Sequence, residues 1–253
     1  MLPEFELAGS VALVTGGNSG IGRAIAIGLA RAGADIAIAA RNEEKTARVV
    51  KEIRDIGRRV IGARCDVTKR DHILATVQAV NDTFGKLNIL VSGAGIATGG
   101  PAERLSEEVW NMVIDTNLKG SFLMAQAVYP LLVANGGGKI INIGSEYAIF
   151  GSPFSLPYSA SKGGVVQLTK SLAVAWAKDN IQVNAIVPGW IKTDMTAGLR
   201  SNKAFHESII QRTPARRWGE PEEIVGAAVF LASKASDFVT GQSIAVDGGY
   251  SIA

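Results

Sequence analysis

The residues between Ser145 and Lys162 include the side chains of this chain that are best suited to proton transfer. If a helix begins near Tyr158, Lys162 projects from the same face one turn later, so a phenol and an ammonium can point into one pocket. A neighbouring ammonium favours the phenolate, and lowering a phenol pKa by ~2 to 3 units requires ~3 to 4 kcal/mol of differential stabilisation. The spacing therefore predicts a tuned proton donor for a carbonyl or alcohol oxygen.

Ser145 is predicted to lie beside this pair. It follows the apolar run Lys139 to Ile143, which is typical of a buried parallel strand. Its hydroxyl would then sit at the carboxyl end of that strand, where open α/β sheets place their ligands. A Tyr-x-x-x-Lys spacing is weak evidence by itself, because Tyr158 and Lys162 also suit an ordinary amphipathic helix. The remaining motifs decide between the two interpretations.

A phosphate-binding turn is predicted near the N-terminus. The apolar run Ser10 to Thr15 leads directly into a glycine-rich stretch, and helical periodicity follows from Arg23 to Arg31. A strand, a glycine turn and a helix start in this order can cradle a pyrophosphate, whereas glycines alone would indicate only a tight turn. The residues expected to hold phosphate there are Gly16, Asn18, Ser19, Gly20, Ile21 and Gly22.

The end of the second strand indicates which dinucleotide is preferred. A carboxylate at this point would bind the ribose 2′-hydroxyl of NAD and repel the 2′-phosphate of NADP, but the strand Asp35 to Ala40 ends in alanine. Arg41 and Asn42 follow, and the planar guanidinium of Arg41 suits a phosphate. We therefore predict a preference for NADP, with NAD possible. The alternative is that Arg41 merely opens the exposed helix from Asn42 to Ile56.

The third strand, Arg59 to Arg64, is followed by two further residues that we expect to face the cofactor, Asp66 and Val67. The carboxylate of Asp66 either accepts a hydrogen bond from the adenine amino group or caps the helix that begins near Lys69. Both roles are compatible with its position.

The next two elements complete the predicted ligand site. The fourth strand, Leu87 to Val91, runs into a segment in which Ala94 and Gly95 would lie along the cofactor. A long helical region from Ser106 to Asn135 follows, and Asn117 within it is a poor helix former. Asn117 therefore either bends the helix or has a polar partner.

The alternation of strands and helices predicts one domain over residues 1–253. Two further strands, Gln182 to Val187 and Ser243 to Asp247, bring the total to seven in a parallel sheet with right-handed crossovers and helices on both faces, a doubly wound Rossmann-type α/β fold. The segment 190–213 has weak periodicity, which predicts an irregular substrate lid.

Composition excludes several other classes of protein. The chain has 253 residues, 47% of them hydrophobic, with 29 glycines and a net charge of +3 without a basic stripe, so we expect no nucleic-acid or membrane partner. With Cys65 as the only cysteine and His72 and His206 far apart in sequence, we expect no metal site. The N-terminus has no targeting pattern and no apolar run approaches ~18 residues, so we predict a cytoplasmic protein.

Taken together, the order and spacing of the motifs resemble the classical short-chain dehydrogenase/reductase family along essentially the whole chain. The motifs are Thr15 to Gly22, Asn117, Ser145, Tyr158 to Lys162, Pro188-Gly189 and Val246 to Gly249.

The resemblance implies hydride transfer between a nicotinamide ring and a carbonyl carbon, with a role for each motif residue. Tyr158 would be the catalytic acid and base, and Lys162 would lower its pKa and hold the nicotinamide ribose. Ser145 would bind the reacting oxygen, and Asn117 would fix a water that extends a proton relay to Lys162. Ile191 and Thr193 are implied to contact the carboxamide end of the cofactor, and Pro188 and Gly189 just before them are also expected to bind the cofactor.

One position departs from the family pattern. The family usually carries two asparagines after the fourth strand, and here those positions are Ser92 and Gly93. An amide that would bridge neighbouring strands is thus missing, which affects local rigidity more than catalysis. A water or a backbone group would have to replace it.

Within the family the chain is similar to bacterial sugar and sugar-acid dehydrogenases, in particular over Trp176 to Asn184 and Thr213 to Gly219. It is also similar to 3-oxoacyl-carrier-protein reductases, which grip an acidic carrier with basic side chains. The matching positions here are Pro130 and Val174, which argues against a carrier substrate. A cluster of Arg216 and Arg217 leaves this alternative open, and a non-catalytic NADP-binding sensor is the alternative from another class.

The substrate pocket and the assembly are predicted less directly. The pocket candidates are Trp190, Met195, Leu199, Phe205 and His206 in the lid and Glu146, Tyr147 and Phe154 in the wall. A carboxylate at Glu146 would either recognise hydroxyls or repel an anionic substrate. The helices Gly120 to Asn135 and Tyr158 to Asp179 are apolar over more than one face, which predicts a homotetramer.

Overall fold

A seven-stranded parallel sheet with strand order β3-β2-β1-β4-β5-β6-β7 forms the centre of the molecule, in a computed structural model that describes residues 2–253. The predicted fold class is confirmed. The strands are β1 Val11–Thr15, β2 Asp35–Ala40, β3 Val60–Arg64, β4 Ile89–Ser92, β5 Gly138–Ile143, β6 Ile181–Pro188 and β7 Ser243–Val246.

Helices connect successive strands and cover both faces of the sheet. They are α1 Gly20–Arg31, α2 Glu43–Asp55, α3 Arg70–Phe84, α4 Glu107–Ile114, α5 Gly120–Ala134, α6 Leu156–Trp176, α7 Ala197–Ser201, α8 Lys203–Arg212 and α9 Val225–Ala232. A π-helical turn, Asp115–Lys119, joins α4 to α5.

Apolar side chains fill a core on each face of the sheet. On one face, α1, α2 and α9 bury residues such as Ile25, Val49 and Leu231 against the strands. On the other face, α3, α5 and α6 bury residues such as Val80 and Met124. The five inner strands are almost wholly buried and therefore read as continuous apolar runs, whereas the edge strands β3 and β7 are partly exposed.

The strand order reverses between β1 and β4, which pair in parallel at the centre of the sheet. Successive connections leave this point in opposite directions, so the loops after the two strands separate and open a crevice at their carboxyl ends. Gly16 and Gly93 begin those two loops. The site described below is built on this crevice.

The segment 190–213 differs from the prediction. It is not irregular, because α7 and α8 occupy residues 197–212, and the Asn202 side chain caps α8 by accepting a hydrogen bond from the Phe205 backbone N–H at 3.1 Å. Ile209 is the buried residue of α8, so neither short helix presents a repeating apolar stripe. The weak periodicity follows from that shallow packing.

No helix among residues 2–253 combines the length and the hydropathy that a membrane crossing requires.

Candidate active site

One cleft of about 400 Å³ lies at the carboxyl ends of the strands, and every residue predicted to bind cofactor lines it. Those residues are Gly16, Asn18, Ser19, Gly20, Ile21, Gly22, Arg41, Asn42, Asp66, Val67, Ala94, Gly95, Tyr158, Lys162, Pro188, Gly189, Ile191 and Thr193. Ser145 lines the cleft as well, whereas Asn117 is buried and does not line it. The structure therefore brings together residues that are far apart in sequence.

The glycine turn after β1 is shaped to admit a ligand close to the backbone. A Cβ atom on Gly16 would lie 2.8 Å from the Gly93 carbonyl oxygen, and one on Gly22 would lie 2.3 Å from the Gly16 carbonyl oxygen. Only glycine allows the loop and α1 to approach each other this closely. The Ser19 side chain does not cap α1, and the first-turn residues Gly20, Ile21 and Gly22 line the cleft, so their N–H groups are free of a side-chain cap where a phosphate would bind. These features fit the pyrophosphate of a dinucleotide.

Two cationic side chains lie at the end of the cleft next to α2. Arg41 and Lys45 both line it, one just before α2 and one in its first turn. The Asn18 side chain ties α2 to the glycine turn by donating to the Asn42 carbonyl oxygen at 3.0 Å and to the Thr46 hydroxyl at 3.2 Å. Arg41 therefore lies where a dinucleotide with its phosphates on the glycine turn would place its adenosine ribose.

Asp66 settles one of the alternatives left open by the sequence. Its carboxylate accepts hydrogen bonds from the Thr68 backbone N–H at 3.0 Å and the Thr68 hydroxyl at 2.8 Å, so it closes a local turn and does not cap α3, whose N-cap is Lys69. Burial opposes ionisation, but these bonds and the positive charge of Arg41 bring the pKa of Asp66 below its ordinary value. An ionised acceptor therefore remains at the adenine end of the cleft.

Asn117 sits in the π-helical turn between α4 and α5 and is 1% exposed. Its side chain donates to the Ile96 carbonyl oxygen and to the Ser161 hydroxyl, both at 3.0 Å, and accepts from the Ile96 backbone N–H at 2.9 Å. Both outcomes predicted for this asparagine hold, since it interrupts the helix and has polar partners. The amide fastens the loop after β4 to α6, which carries Tyr158.

Lys162 is almost fully buried, and its ammonium donates to the Ile143 carbonyl oxygen at 2.6 Å. Burial lowers the pKa of Lys162 to about 8, because the charged form loses hydration. The bond ties α6 to the carboxyl end of β5, one residue before the loop that holds Ser145. The lysine therefore positions two elements of the site at once.

The acidity of Tyr158 differs from the prediction. Burial raises its pKa to about 12, a hydrogen bond with Ser145 opposes that rise, and the nearby Glu146 and Tyr147 add to it. The ammonium of Lys162 lies 5.6 Å from the centre of the Tyr158 ring and donates its hydrogen bond to the Ile143 carbonyl oxygen, not to the phenol oxygen. Tyr158 is accordingly a protonated donor at neutral pH.

The Thr15 hydroxyl takes the place of the asparagine amide that is missing at Ser92 and Gly93. The Thr15 hydroxyl at the end of β1 accepts from the backbone N–H groups of Gly93 at 3.0 Å and Ala94 at 3.1 Å, and donates to the Val91 carbonyl oxygen at 3.4 Å. A side-chain hydroxyl thus bridges the neighbouring strands, where the sequence pointed to a water or a backbone group. A Cβ on Gly93 would lie 2.8 Å from the Thr15 carbonyl oxygen, so the close strand approach also requires this glycine.

A wall of aromatic side chains extends from Tyr158 towards the segment 190–213. Tyr147 meets Tyr158 and Trp190 edge-on, with ring centroids 6.0 Å and 5.9 Å apart, and Trp190 packs on Phe205 at 5.2 Å. Of the other predicted pocket residues, Met195 lines the cleft, His206 stacks on Trp218, and Leu199 and Phe154 are exposed. Of these rings only Tyr158 lines the cleft, so the other aromatic side chains pack behind it and support it.

Glu146 is buried in this wall beside Ser145, with 3% of its surface exposed. Burial and the negative charge of Asp247 raise its pKa from 4.5 to about 8, against the opposing effects of Arg212 and Trp190. Within residues 2–253 its Oε2 atom has no hydrogen-bond partner. Glu146 is therefore mainly protonated at neutral pH and presents a carboxylic acid, not a negative charge.

Some residues of the cleft were not predicted. They include Lys45, Ile96, Thr116, Asp194 and Thr196. Lys45 lies in the first turn of the helix that Asn42 caps, just after Arg41, so its nearness to Arg41 in sequence was a usable signal. No sequence signal indicated Asp194, which reaches the cleft through a loop.

The fold and the site are those of a dinucleotide-dependent oxidoreductase, with a glycine cradle, a switch-point crevice and the side chains of Tyr158, Lys162 and Ser145 lining one cleft. The family model described as enoyl-(acyl carrier protein) reductase matches residues 16–251. The chain belongs to the short-chain dehydrogenase/reductase family.

Relatives within the family share both sequence and fold with this chain. It is 43% identical over 249 residues to the 5-keto-D-gluconate 5-reductase of Escherichia coli K12, with 98% of each chain covered. It is 40% identical over 248 residues to the gluconate 5-dehydrogenase of Gluconobacter oxydans 621H, with 98% of this chain and 97% of that one covered. The crystal structure of a gluconate 5-dehydrogenase from Burkholderia cenocepacia J2315 in complex with NADP and tartrate superposes with a TM-score of 0.95 at 42% identity, covering 99% of this chain and 98% of that one.

The raised pKa of Glu146 predicts a pH dependence of stability. The folded protein retains this proton up to about pH 8, while the unfolded chain releases it near pH 4.5, so the folded state loses stability as the pH rises between these values. The Glu146→Gln variant lacks this loss. From pH 6 to pH 8, urea denaturation should show the wild type losing about 2 kcal/mol more of its unfolding free energy than the variant.

An exposed glutamate provides the control for this experiment. The Glu4→Gln variant should follow the wild-type pH profile. Parallel profiles for the wild type and Glu146→Gln would show that Glu146 is ionised throughout this range, contrary to the assignment.

Proposed function

We propose that this chain is an NADP(H)-dependent oxidoreductase that transfers a hydride between the nicotinamide and a secondary alcohol or ketone carbon of a sugar acid. The observation that carries the proposal is one continuous cleft with a phosphate-binding glycine turn, a cationic adenosine end and the Tyr158 and Ser145 hydroxyls at the reacting end. A bound nicotinamide dinucleotide would supply the hydride. The protein must then orient the substrate and move one proton.

Tyr158 and Ser145 divide the work on the reacting oxygen. In the reducing direction the neutral phenol of Tyr158 donates its proton to the carbonyl oxygen of the substrate, and the Ser145 hydroxyl binds the same oxygen. Tyr158 and Ser145 both line the cleft, and Ser145 opposes the rise in the pKa of Tyr158, which places the two hydroxyls near each other on the same oxygen of a bound substrate. The reverse reaction requires the phenolate, which is favoured at high pH because the pKa of Tyr158 is raised.

Lys162 and Asn117 act behind these hydroxyls. A Cβ on Gly95 would lie 3.3 Å from the Asn117 Oδ1 atom and 3.7 Å from the Lys162 ammonium, so both groups converge beneath the backbone that lines the cleft. With its pKa lowered to about 8, Lys162 can gain or lose a proton near neutral pH. This supports its roles as a ribose ligand and as the next member of a proton relay.

The charge of the adenosine end supports NADP over NAD. Arg41 follows β2, the strand end lacks a carboxylate because Ala40 occupies it, and Lys45 adds a second cation. Within residues 2–253, Arg41 has no ion-pair partner, so its guanidinium is available to a phosphate.

Two observations support a sugar-acid substrate. The relatives described above are named for gluconate and 5-keto-D-gluconate, and they share about two-fifths of their residues with this chain. Glu146 is buried behind the residues that line the cleft and is mainly protonated at neutral pH, so it does not repel an anionic substrate. An ionised Glu146 would have argued against a sugar-acid substrate, and this argument no longer applies.

The carrier-protein alternative has less support. Arg217 forms a bidentate ion pair with Glu223, both N–O distances being 2.6 Å, so its charge is neutralised. The positions that would grip an acidic carrier are held by Pro130 and by Val174, which is 84% exposed. The sensor alternative is disfavoured because Ser145, Tyr158 and Lys162 are all present at one site.

We also propose a homotetramer, supported by large apolar side chains on the surfaces of α4, α5 and α6. They are Trp110, Met112, Phe122, Val133 and Val174, of which Val174 is 84% exposed. Such a group of exposed apolar residues is typical of an interface.

A cytoplasmic location stays a prediction from the sequence.

Light scattering tests the assembly. At micromolar concentration we expect a mass near four times the 26.5 kDa of one chain, and a smaller mass for Val174→Glu, which introduces a charge into the proposed contact. A wild-type mass of 26.5 kDa would contradict the proposal.

Replacing Tyr158 by phenylalanine tests the mechanism. We expect kcat for NADPH-dependent reduction of 5-keto-D-gluconate to fall about 10²- to 10⁴-fold, because the proton donor is lost while the ring is retained. Tyr129→Phe is the matched control, since the Tyr129 hydroxyl donates to Asp179 outside the cleft. Full turnover by Tyr158→Phe, with NADPH binding unchanged, would contradict the assigned role.

Replacing Arg41 by alanine tests the cofactor preference. The ratio of kcat/KM for NADPH to that for NADH should fall about tenfold or more, because a charge-assisted contact to the 2′-phosphate is lost. Arg54→Ala, in the last turn of α2, should leave the ratio unchanged. An unchanged ratio in Arg41→Ala would place the phosphate contact elsewhere.

A further inference from the structure

An ion pair joins the two walls of the cleft at its adenosine end. The Lys45 ammonium lies 3.0 Å from the Asp194 Oδ2 atom. Lys45 belongs to the first turn of α2, whereas Asp194 opens the 3-10 turn Asp194–Thr196 at the beginning of the segment 190–213. Both residues line the cleft. A cation of the predicted cofactor site is thus paired with a carboxylate from the opposite wall.

Lys45 is held close to Arg41 by the local structure. The Asn42 side chain caps α2 by accepting from the Lys45 backbone N–H at 2.8 Å. The Asn42 carbonyl oxygen in turn accepts from the Asn18 side chain of the glycine turn at 3.0 Å. The backbone from Arg41 to Lys45 is therefore fixed against the phosphate-binding loop, and its two cations face the same end of the cleft.

The charges at this end are unevenly engaged. Arg41 has no ion-pair partner within the described part of the chain, while the charge of Lys45 is balanced by Asp194. The pair is exposed, with 46% of the Lys45 side chain and 83% of the Asp194 side chain accessible, and exposed ion pairs contribute little free energy. A phosphate monoester has nearly two negative charges and three acceptor oxygens, so it competes well for such a lysine.

From this arrangement, and resting on the proposed NADP preference, we propose that Lys45 is a second specificity-determining residue that exchanges Asp194 for the 2′-phosphate of the cofactor. The lysine is shared between two partners, and the carboxylate of Asp194 weakens its contribution to phosphate binding. NAD, which has a 2′-hydroxyl, leaves the pair in place. Asp194 thereby sets how strongly the site discriminates between the two dinucleotides.

Calorimetric titration with two adenosine fragments tests the exchange without measuring turnover. The probes are 2′,5′-ADP, which carries the 2′-phosphate, and 5′-AMP, which lacks it. Lys45→Met should weaken 2′,5′-ADP binding about tenfold, and Asp194→Asn should strengthen it about two- to fivefold. Neither substitution should change 5′-AMP binding by more than about twofold. In the Lys45→Met background, Asp194→Asn should have no further effect, because the competition is gone.

A lysine on the same helix provides the control. Lys51 pairs with Asp55 at 2.7 Å and does not line the cleft, so Lys51→Met should leave the binding of both fragments unchanged. Equal weakening of both fragments by Asp194→Asn would show that the pair is a structural clamp and would overturn the exchange. An Asp194→Asn gain that persists in the Lys45→Met background would overturn it too, because direct repulsion of the phosphate by Asp194 would then be the cause.

The same titrations separate this inference from the proposed function. If wild-type protein binds 2′,5′-ADP no more tightly than 5′-AMP, and Arg41→Ala changes neither, the NADP assignment fails. If Arg41→Ala abolishes the preference for 2′,5′-ADP while Lys45→Met preserves it, the NADP assignment stands and the role of Lys45 is wrong.

Discussion

The hydrogen bond from the buried ammonium of Lys162 to the Ile143 carbonyl oxygen is the interaction on which the site depends most. A buried charge is costly unless it has a partner, so this short contact of 2.6 Å compensates the ammonium and fixes α6 against the end of β5. Tyr158 lies one turn earlier on that helix and Ser145 lies two residues beyond Ile143. A single bond therefore sets the distance between the helix that supplies the phenol and the strand that supplies the hydroxyl.

Asn117 connects the loop after β4 to the same helix. Because the π-helical turn turns its amide inward, the side chain can bond the backbone of Ile96 and the hydroxyl of Ser161 together. The sheet, the loop after β4 and α6 are thus connected through buried polar contacts that are nearly all satisfied. Such networks are rigid, and rigid placement of the proton donor is what hydride transfer requires of the protein.

The sequence was sufficient to predict the fold and most of the candidate site, because both follow from local patterns. Buried parallel strands are continuous apolar runs, and the glycine turn and the Tyr158 to Lys162 spacing lie within single segments, so the strands were placed to within one or two residues. The helices at 197–212 were missed because Ile209 gives α8 so little buried surface.

The features that remained beyond prediction depend on atoms that only the folded chain brings together. Lys45 and Asp194 are 149 residues apart in sequence, and the Thr15 hydroxyl meets Gly93 across 78 residues. The acidity of Tyr158 could not be inferred from the proximity of Lys162, because its pKa depends on burial and on the direction in which the ammonium points. Spacing along a helix indicates which side chains are neighbours but not which atoms they bond.

The hydroxyl at the end of β1 also affects how sequences of this kind should be classified. A filter that demands an asparagine pair after the fourth strand would discard a chain with Ser92 and Gly93 as degenerate, although Thr15 supplies the missing bridge from the neighbouring strand. Positions 15 and 93 therefore form one structural unit, and surveys of genomes should score them jointly. Sequences that lost the asparagines but kept the threonine and glycine belong among the candidates for working enzymes.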